Sequence, residues 1–412
     1  MAQASIPEAI DAIARGDIVV VADDEDRENE GDLIMAAEHA TPEAIAFFVR
    51  HTSGLICAPI TSERAQELDL PLMVPVNNTE SMRTAFTVTV DHRHGTTTGI
   101  SAADRASTIR CLVDPATKPS DLARPGHIAP LIARQGGVLK RAGHTEAAVD
   151  LARLAGLAPA GVLCELVTED GSEMQRMPDL ERFAEEHGLL LVTIADLIRF
   201  RRQTEKLVTR LKEATIPTEW GDFSCVAYRS VLDGEHHLAF VRGAVSGEQD
   251  VLVRVHSECL TGDIFGSLRC DCGQQLHAAM ALIEQEGQGV LVYLRGHEGR
   301  GIGIAHKIAA YGLQDTGLDT VDANTALGLP VDSREYGIGA QILNDLGITT
   351  MRLMTNNPAK RGGLEGFGLK VTERVPLPTK PTAENIDYLR TKVARMGHLM
   401  EDLGLDGDPF KP

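Results

Sequence analysis

Three cysteines lie close together in the second half of the chain, in the segment SECLTGDIFGSLRCDCG. Cys259, Cys270 and Cys272 fall within fourteen residues, although the whole chain of 412 residues has only seven cysteines. Thiolates are soft ligands that suit Zn²⁺, and three protein ligands leave the fourth tetrahedral position open, as in catalytic zinc sites. A closed structural site would need a fourth ligand from the nearby cysteines and histidines, which are Cys225, His256 and His277. Buried thiols without a metal are the third interpretation.

A glycine-rich segment, Arg295–Gly303 (RGHEGRGIG), follows the cysteines. Glycines let backbone N–H groups approach an anion, and arginine side chains match phosphate oxygens. It is not a Walker loop, because no Gly-Lys-Ser/Thr follows, and a surface loop is the alternative. Arg254 at the end of a strand pattern and Lys360 after the turn TNNP add positive charge, which suits a polyphosphate ligand.

The first half contains an acidic run, Asp23–Asp32, with seven carboxylates in ten residues. Such a run is commonly a solvated loop. Here it directly follows a strand pattern, and crowded carboxylates at a strand end can bind Mg²⁺. Two further segments, Arg124–His127 and Arg141–Glu146, each place a histidine beside glycine and a basic residue. These patterns predict a site for a divalent metal and a sugar phosphate.

The elements that must position these residues alternate between strand and helix patterns. We expect a helix over 6–15, strands over 17–22, 55–60, 86–90 and 161–167, and in the second half strands leading into the cysteines and into the glycine-rich segment. The charged segment 199–213 predicts a helix that becomes a linker. The expected fold class is α/β (α+β), with two domains, 1–202 and 203–412, each a mixed sheet packed with helices.

Composition excludes several classes of protein. A net charge of −19 argues against a broad nucleic-acid surface, and 43% hydrophobic with 24% charged residues is typical of a globular protein. We recognise no signal peptide and no apolar run long enough for a membrane span. Seven cysteines in a large chain do not form a disulfide pattern, so we expect a cytoplasmic protein with no nucleic-acid or membrane partner.

Seven segments of the second half occur in order: RVHSECLTGD, SLRCDCG, HEGRGIG, AYGLQD, DTVDAN, DSREYGIGAQIL and RLMTNNPAK. Together they resemble GTP cyclohydrolase II over residues 218–400. The resemblance implies that Cys259, Cys270 and Cys272 hold one zinc ion. It also implies a set of GTP contacts, with Mg²⁺ accompanying the GTP: Arg254, Val255, His256, Ser257, Glu258, Gln275, Glu298, Gly299, Arg300, Thr320, Thr355 and Lys360. The family's reaction opens the guanine imidazole ring, releases C8 as formate and removes pyrophosphate.

The same resemblance implies three catalytic residues in this half. Tyr311 would donate or orient during attack on C8, with half-buried packing as the alternative. Asp332 and Arg334 match the family's base and nucleophile at the α-phosphorus. A guanidinium with a pKa above about 12 is a poor nucleophile, so the chemistry favours Arg334 as a clamp that Asp332 orients. A surface ion pair is the alternative.

The first half carries DDEDRENEGD, RHTSGLIC, TTGISAADR, KPSDLARPGH, RAGHTEA and AGVLCEL, again in order. These segments resemble 3,4-dihydroxy-2-butanone-4-phosphate synthase over about residues 5–200, which implies conversion of ribulose 5-phosphate to the four-carbon phosphate and formate. Glu28 and His144 would hold Mg²⁺ or Mn²⁺, and His127 and Glu165 match essential positions. The implied sugar-phosphate contacts are Arg27, Glu28, Asp32, Arg141, Ala142, Gly143, His144, Thr145 and Glu165.

The whole chain thus resembles the family of bifunctional riboflavin biosynthesis proteins, which join these two enzymes. By the same resemblance we expect a homodimer or higher homo-oligomer, with synthase sites at subunit interfaces. One alternative is that only one domain is catalytic and the other is a structural or regulatory support. A second is a zinc-dependent nucleic-acid-binding module, which the negative charge and the missing fourth thiolate oppose.

Overall fold

The computed structural model describes residues 3–329, 336–357, 364, 367–397 and 399. The chain divides into two units, Met1–Thr204 and Glu205–Pro412, each with its own sheet. The predicted domain boundary at 202/203 falls inside the last helix of the first unit, which ends at Thr204.

The first unit contains a seven-stranded sheet in the order β4-β5-β3-β6-β2-β1-β7. The strands are β1 Val19–Ala22, β2 Gly31–Ala36, β3 Cys57–Ile60, β4 Val90–His92, β5 Leu122–Ile132, β6 Gly161–Glu165 and β7 Leu190–Thr193. The pairs β1/β7 and β3/β5 are parallel and the other pairs are antiparallel, so the sheet is mixed, as predicted.

Helices cover both faces of this sheet. They are α1 Ile6–Arg15, α2 Pro42–His51, α3 Ser62–Glu67, α4 Ala102–Val113, α5 His144–Leu154, α6 Met177–His187 and α7 Ile194–Thr204. One hydrophobic core lies under α2, α3, α4 and α6, and the second under α1, α5 and α7. Because both faces are covered, β1 (VVVA) is buried along its whole length.

The second unit has a seven-stranded sheet in the order β14-β13-β11-β12-β10-β9-β8. Its strands are β8 Val208–Thr218, β9 Gly221–Ser230, β10 His236–Arg242, β11 Val251–Ser257, β12 Gly289–Leu294, β13 Thr350–Met354 and β14 Lys370–Val375. Strands β12, β11, β13 and β14 pair in parallel, whereas β10, β9 and β8 are antiparallel additions at one side. The helices are α8 Leu260–Asp263, α9 Cys272–Glu286, α10 Ile304–Gln314, α11 Thr320–Ala326, α12 Gly337–Asp345 and α13 Ile386–Met396.

Two expectations about elements were wrong. The charged segment 199–213 is helical only to Thr204, and from Val208 it is an edge strand, β8, whose side chains are mostly exposed. Charged side chains on an edge strand discourage pairing with other chains, so the charge density here belongs to a strand. The strand expected over 86–90 starts only at Val90, because Phe86 and Thr87 form isolated bridges rather than a ladder.

Within the described ranges, no helix is long and apolar enough to cross a membrane.

Candidate active sites

The acidic run of the first unit is a loop between β1 and β2 that Asp23 organises. The Asp23 carboxylate accepts hydrogen bonds from the backbone N–H groups of Glu28, at 3.1 Å, and Glu30, at 3.0 Å. Arg27 donates to the same carboxylate at 2.8 Å and also contacts Glu28. The loop is therefore folded around a buried carboxylate and is not the solvated run that composition alone suggests.

His144, the first residue of α5, lies against this loop. Its Nε2 atom donates to the Val21 carbonyl at 3.1 Å, so Nδ1 is left facing Glu28 and Asp32 at 3.8 and 3.9 Å. The possible ligand atoms of Asp23, Glu28 and His144 all lie within 4.8 Å of one another. Two carboxylates and a neutral imidazole can bind a divalent cation such as Mn²⁺ or Mg²⁺.

The surroundings shift the pKa values of the neighbouring carboxyl groups in opposite directions. The hydrogen bond with His144, assisted by Arg27, lowers the pKa of Glu28 despite burial. Burial raises the pKa of Asp32 well above its usual range, and its Oδ1 atom has no hydrogen-bond partner in the described part of the chain. Although burial opposes it, the field of Asp32 and Glu28 raises the pKa of His144 to about 9. Carboxyl groups side by side whose pKa values are shifted in opposite directions are typical of an acid–base pair.

Glu165 reaches the same place from the next strand. It ends β6 directly opposite Asp32 of β2, so both side chains are on one face of the sheet. The Ser53 hydroxyl donates to Glu165 Oε2 at 2.7 Å and thereby fixes the carboxylate. The predicted residues Glu28, Asp32 and Glu165 are therefore brought together with His144.

His127 lies apart from that group. The strand registers place it level with Asp32, but β3 and β6 lie between their strands, which corresponds to about 14 Å across the sheet. Its Nδ1 atom is 2.7 Å from Asp91, which also accepts the backbone N–H of His127 at 2.9 Å. Sequence reasoning missed Asp91. It also missed Gly99, where a Cβ atom would lie 2.1 Å from Asp91 Oδ2.

A strongly basic cavity adjoins the acidic loop. It has about 1140 Å³ including its open mouth, and its lining contains five cations: Arg27, Arg83, Arg134, Lys140 and Arg141. Glu146 holds Arg141 at 2.8 Å. Ala142 and Gly143 form the turn into α5, whose first-turn N–H groups, including that of Thr145, add positive potential. A Cβ atom at Gly143 would lie 2.4 Å from Arg141 Nη1, so a larger residue would displace the Arg141 side chain.

In the second unit the three predicted cysteines meet. Cys259 Sγ lies 3.7 Å from Cys270 Sγ, and the three sulfur atoms all lie within 4.8 Å of one another. Among the described residues no further His, Cys, Asp or Glu belongs to the group. The candidate fourth ligands lie elsewhere. His256 is 3.1 Å from Asp263, and His277 packs against Trp220. Cys225 lies on β9, opposite Phe240 of β10.

Two residues that sequence reasoning missed shape the thiol cluster. Lys307 of α10 donates to Cys259 Sγ at 3.1 Å and to Thr261 at 2.8 Å, and it contacts Glu298. The neighbouring thiols and Lys307 hold the pKa of Cys259 well below its usual value, whereas the pKa of Cys270 is raised to about 11. A Cβ atom at Gly262 would lie 2.7 Å from Cys270 Sγ, so glycine leaves the thiols their space.

A cavity of about 1060 Å³, including its open mouth, lies beside the thiols. Most described residues that the sequence assigns to this site line it, namely Arg254, His256, Ser257, Glu258, Gln275, Gly299, Arg300, Tyr311, Thr320 and Thr355. Two do not: Val255 packs in the hydrophobic core, because side chains alternate along β11, and Glu298 lies behind the lining against Lys307. Asp332, Arg334 and Lys360 lie outside the described residues.

Tyr311 lies beside two cationic side chains that line the cavity. The Arg269 guanidinium is 5.0 Å from its ring centroid and the Lys307 ammonium 5.7 Å. Burial raises the pKa of Tyr311 to about 12, so the phenol keeps its proton and can donate it.

A buried polar chain forms part of the cavity wall. Arg254 donates to the Met354 carbonyl at 2.9 Å and to Gln275 Oε1 at 2.7 Å. Gln275 donates to Asp271 Oδ2 at 2.6 Å, and Lys392 donates to Asp271 Oδ1 at 2.6 Å. Sequence reasoning missed Asp271 and Lys392. Two features of the sequence could have indicated them. Asp271 is a carboxylate between two cysteines, and Tyr388 and Lys392 are spaced i,i+4 on a helix.

Each unit combines potential metal ligands with a polar cavity, which defines the chain as a two-domain α/β enzyme with two sites. Residues 7–200 match the family model of 3,4-dihydroxy-2-butanone 4-phosphate synthase, and residues 209–376 match that of GTP cyclohydrolase II.

Relatives match over nearly the whole chain. The riboflavin biosynthesis protein RibBA of Salinispora arenicola is 63% identical over 96% of this chain and 94% of its own. The bifunctional riboflavin biosynthesis protein RIBA 1, chloroplastic, of Arabidopsis thaliana is 63% identical over 98% of this chain and 74% of its own. RibBX of A. baumannii, a two-domain 3,4-dihydroxy-2-butanone 4-phosphate synthase of solved structure, is 41% identical with a TM-score of 0.68, covering 90% of this chain and 99% of its own. The chain belongs to the family of bifunctional riboflavin biosynthesis proteins, as its motifs predicted.

Proposed function

We propose that the chain catalyses two reactions in separate domains. The first unit converts D-ribulose 5-phosphate to L-3,4-dihydroxy-2-butanone 4-phosphate and formate. The second converts GTP to 2,5-diamino-6-(5-phosphoribosylamino)pyrimidin-4(3H)-one, formate and pyrophosphate. The observation that carries the proposal is the pairing, in each unit, of a metal-ligand group with a cation-lined cavity suited to a phosphorylated substrate.

In the first unit, we assign phosphate binding to the basic cavity and proton transfer to the carboxyl groups around His144. Arginine side chains and the N-terminus of α5 suit the phosphate group. Asp32, whose pKa burial raises, can donate a proton and the Glu165 carboxyl group can accept one, which enolisation and rearrangement of a ketose require. Glu28 and His144, with Asp23 close by, would hold Mg²⁺ or Mn²⁺, which when bound polarises the substrate carbonyl.

In the second unit, we assign the thiol group to one zinc ion. Three thiolates with no fourth protein ligand in the described residues suit an open site, where zinc supplies Lewis acidity and lowers the pKa of bound water. Arg254 and Arg300 would bind the triphosphate, accompanied by Mg²⁺, and Tyr311 would donate a proton near the guanine. For Asp332 and Arg334, the roles of orienting residue and phosphate clamp rest on the family resemblance and on the chemistry of guanidinium.

We also propose a homodimer or higher homo-oligomer. Four apolar side chains at Leu72, Met73, Val74 and Val76 are exposed, as expected of a surface that another copy covers. The distance of His127 from Asp32 and its partly exposed ring support a role at the synthase site of a second copy. Light scattering of the intact protein at two concentrations tests this proposal, because a monomeric mass would contradict it.

Formate release by the full chain tests the two activities. The parent should release formate from ribulose 5-phosphate and from GTP. Glu165→Gln should stop only the first reaction, and Cys270→Ser only the second, together with loss of zinc. In each variant, the activity that remains shows that the unaltered domain is folded.

The alternative, in which one unit is only a support, is suggested by the description of one solved structure. RibBX covers 90% of this chain and is described as a two-domain synthase. Here the second unit has all three thiols and the cavity beside them, which favours activity in both units. A parent chain that releases formate from only one substrate would decide for the alternative.

A further inference from the structure

Helix α13 lies beyond the part of the chain that the cyclohydrolase family model matches, which ends at residue 376. Two of its side chains, Tyr388 and Lys392, nevertheless line the cavity beside the thiols. The helix therefore forms part of the cavity wall, although the family model does not include it.

The Lys392 ammonium is almost entirely buried and makes a well-defined ion pair. It donates to Asp271 Oδ1 at 2.6 Å and lies 4.4 Å from the centroid of the Tyr388 ring. Asp271 is fully buried between the thiol-bearing residues Cys270 and Cys272. A buried charge is costly to leave unpaired, so this contact fixes the position of both groups.

The second oxygen of Asp271 extends the contact toward the predicted GTP residues. Asp271 Oδ2 can only accept, so it holds the amide N–H of Gln275, at 2.6 Å, toward itself. The amide oxygen of Gln275 must then point away, where it accepts from Arg254 at 2.7 Å. The pair Lys392–Asp271 therefore sets the orientation of Gln275 and, through it, of the Arg254 guanidinium.

The other end of α13 is fastened beside a further predicted GTP residue. Arg395 contacts Asp319 and donates to Asp322 at 2.9 Å. Asp319 is the N-cap of α11 and accepts from the N–H groups of Val321 and Asp322, each at 2.8 Å. Helix α11 begins at Thr320, which lines the cavity, so α13 contacts the cavity wall at two separate places.

We propose that Lys392 is a positioning residue of the GTP site: by holding Asp271 it orients Gln275 and Arg254 toward the triphosphate. This inference rests on the proposed cyclohydrolase function. It predicts that the loss of Lys392 weakens GTP binding and leaves the chemical step and the zinc intact.

The test measures kcat and KM for GTP in the full chain, together with zinc content and formate release from ribulose 5-phosphate. The variants are Lys392→Met, Lys392→Arg and the double variant Asp271→Asn/Lys392→Met. The matched control is Arg390→Gln, which breaks an exposed ion pair with Asp387 on the same helix. Arg390 does not line the cavity.

In Lys392→Met, the KM for GTP should rise about 10- to 100-fold while kcat changes less than about threefold. Lys392→Arg should recover part of the loss, and Arg390→Gln should match the parent. The double variant should lose no more than Lys392→Met, because Lys392 acts through Asp271. Because the double variant buries no unpaired charge, its KM for GTP also tests the proposal if Lys392→Met fails to fold.

A purely structural role would lower the active fraction, and hence kcat, without moving KM. A KM within about threefold of the parent value in Lys392→Met, or in the double variant where the single one is insoluble, overturns the inference. If the parent itself releases no formate from GTP, the proposed function fails and the inference with it. If the parent is active and KM is unmoved, only the inference fails.

Discussion

The two ring nitrogens of His144 make different contacts, and this difference determines which nitrogen can bind a cation. Donation from Nε2 to the Val21 carbonyl assigns the ring proton to Nε2 in the neutral form. Nδ1 then faces Glu28 and Asp32, and because the pKa of His144 is raised to about 9, Nδ1 carries a proton near pH 7 in the absence of a cation. A backbone carbonyl that fixes the tautomer of a metal-binding histidine is a common supporting contact. His144 is thus oriented as a ligand before any cation binds, and a bound cation would replace the proton on Nδ1.

Substitution of Gly262 tests whether the thiol cluster needs the space that this glycine leaves. Gly262→Ala should lower the bound zinc per chain, because the new Cβ atom would lie 2.7 Å from Cys270 Sγ and 3.1 Å from Cys259 Sγ. Metal analysis of the purified protein measures this effect. Gly312→Ala is the matched control, since a Cβ atom there meets nothing within 4 Å. Equal zinc content in the two variants would contradict the crowding argument.

Asp91 should matter to the synthase through His127. In Asp91→Asn, the amide can still accept from the backbone N–H but no longer provides a charge at Nδ1, so the orientation of the imidazole weakens. We expect kcat for ribulose 5-phosphate to fall about 10- to 100-fold, with GTP turnover unchanged. Steady-state formate release measures both reactions, and unaltered synthase activity would remove Asp91 from the site.

At the scale of elements, a partly buried hydrogen bond links β9 and α12. The Tyr228 hydroxyl donates to Asp345 at 3.0 Å, and Lys206, just before β8, donates to the same carboxylate at 2.9 Å. Burial opposes ionisation, but these two donors outweigh it and lower the pKa of Asp345. The Asp345 carboxylate of α12 therefore links β9 and the segment just before β8.

Asp345→Asn should lower the free energy of unfolding of the second unit by about 1–2 kcal/mol at pH 7, since hydrogen bonds to charged groups are the stronger ones. Because the folded pKa lies below the usual 3.8, the contribution of Asp345 is complete above about pH 4 and is lost as the pH falls through the folded pKa. Urea unfolding followed by the fluorescence of Trp220, the single tryptophan of the chain, reports on this unit. A difference between parent and variant that grew on acidification would contradict the assignment.

At the scale of the whole molecule, each unit has its own sheet, hydrophobic cores and candidate site. Neither proposed product is the substrate of the other reaction, so the chemistry does not require that an intermediate pass between them. The single chain then fixes the ratio of the two domains at one to one.

Separate expression of 1–204 and 205–412 should therefore yield two active enzymes. We expect kcat/KM for each substrate to stay within about threefold of the full chain, because a domain with its own hydrophobic core can fold alone. Formate release from each fragment, with the full chain at equal concentration as the control, measures this. A fragment that folds by circular dichroism but is silent would show that its site needs the other unit.

The amino-acid sequence by itself determined those parts of each site that are close together along the chain. The three cysteines and the acidic run were recognisable because ligands separated by a few residues meet in a turn or loop whatever the rest of the fold does. The motifs around them also predicted the family, the order of the domains and two mixed α/β sheets. The chain did not reveal that 208–218 is a strand, because its exposed charges resemble those of a helix surface.

Only the tertiary structure decided which distant residues act together. The strand order brings His144 to Glu28, places Asp91 beside His127, and separates His127 from Asp32 by two intervening strands. The packing of α10 and α13 brings Lys307 to Cys259 and Lys392 to Asp271, across 48 and 121 residues of chain. Local spacing carries no information about such pairs, because their contact depends on how whole elements bury their apolar faces.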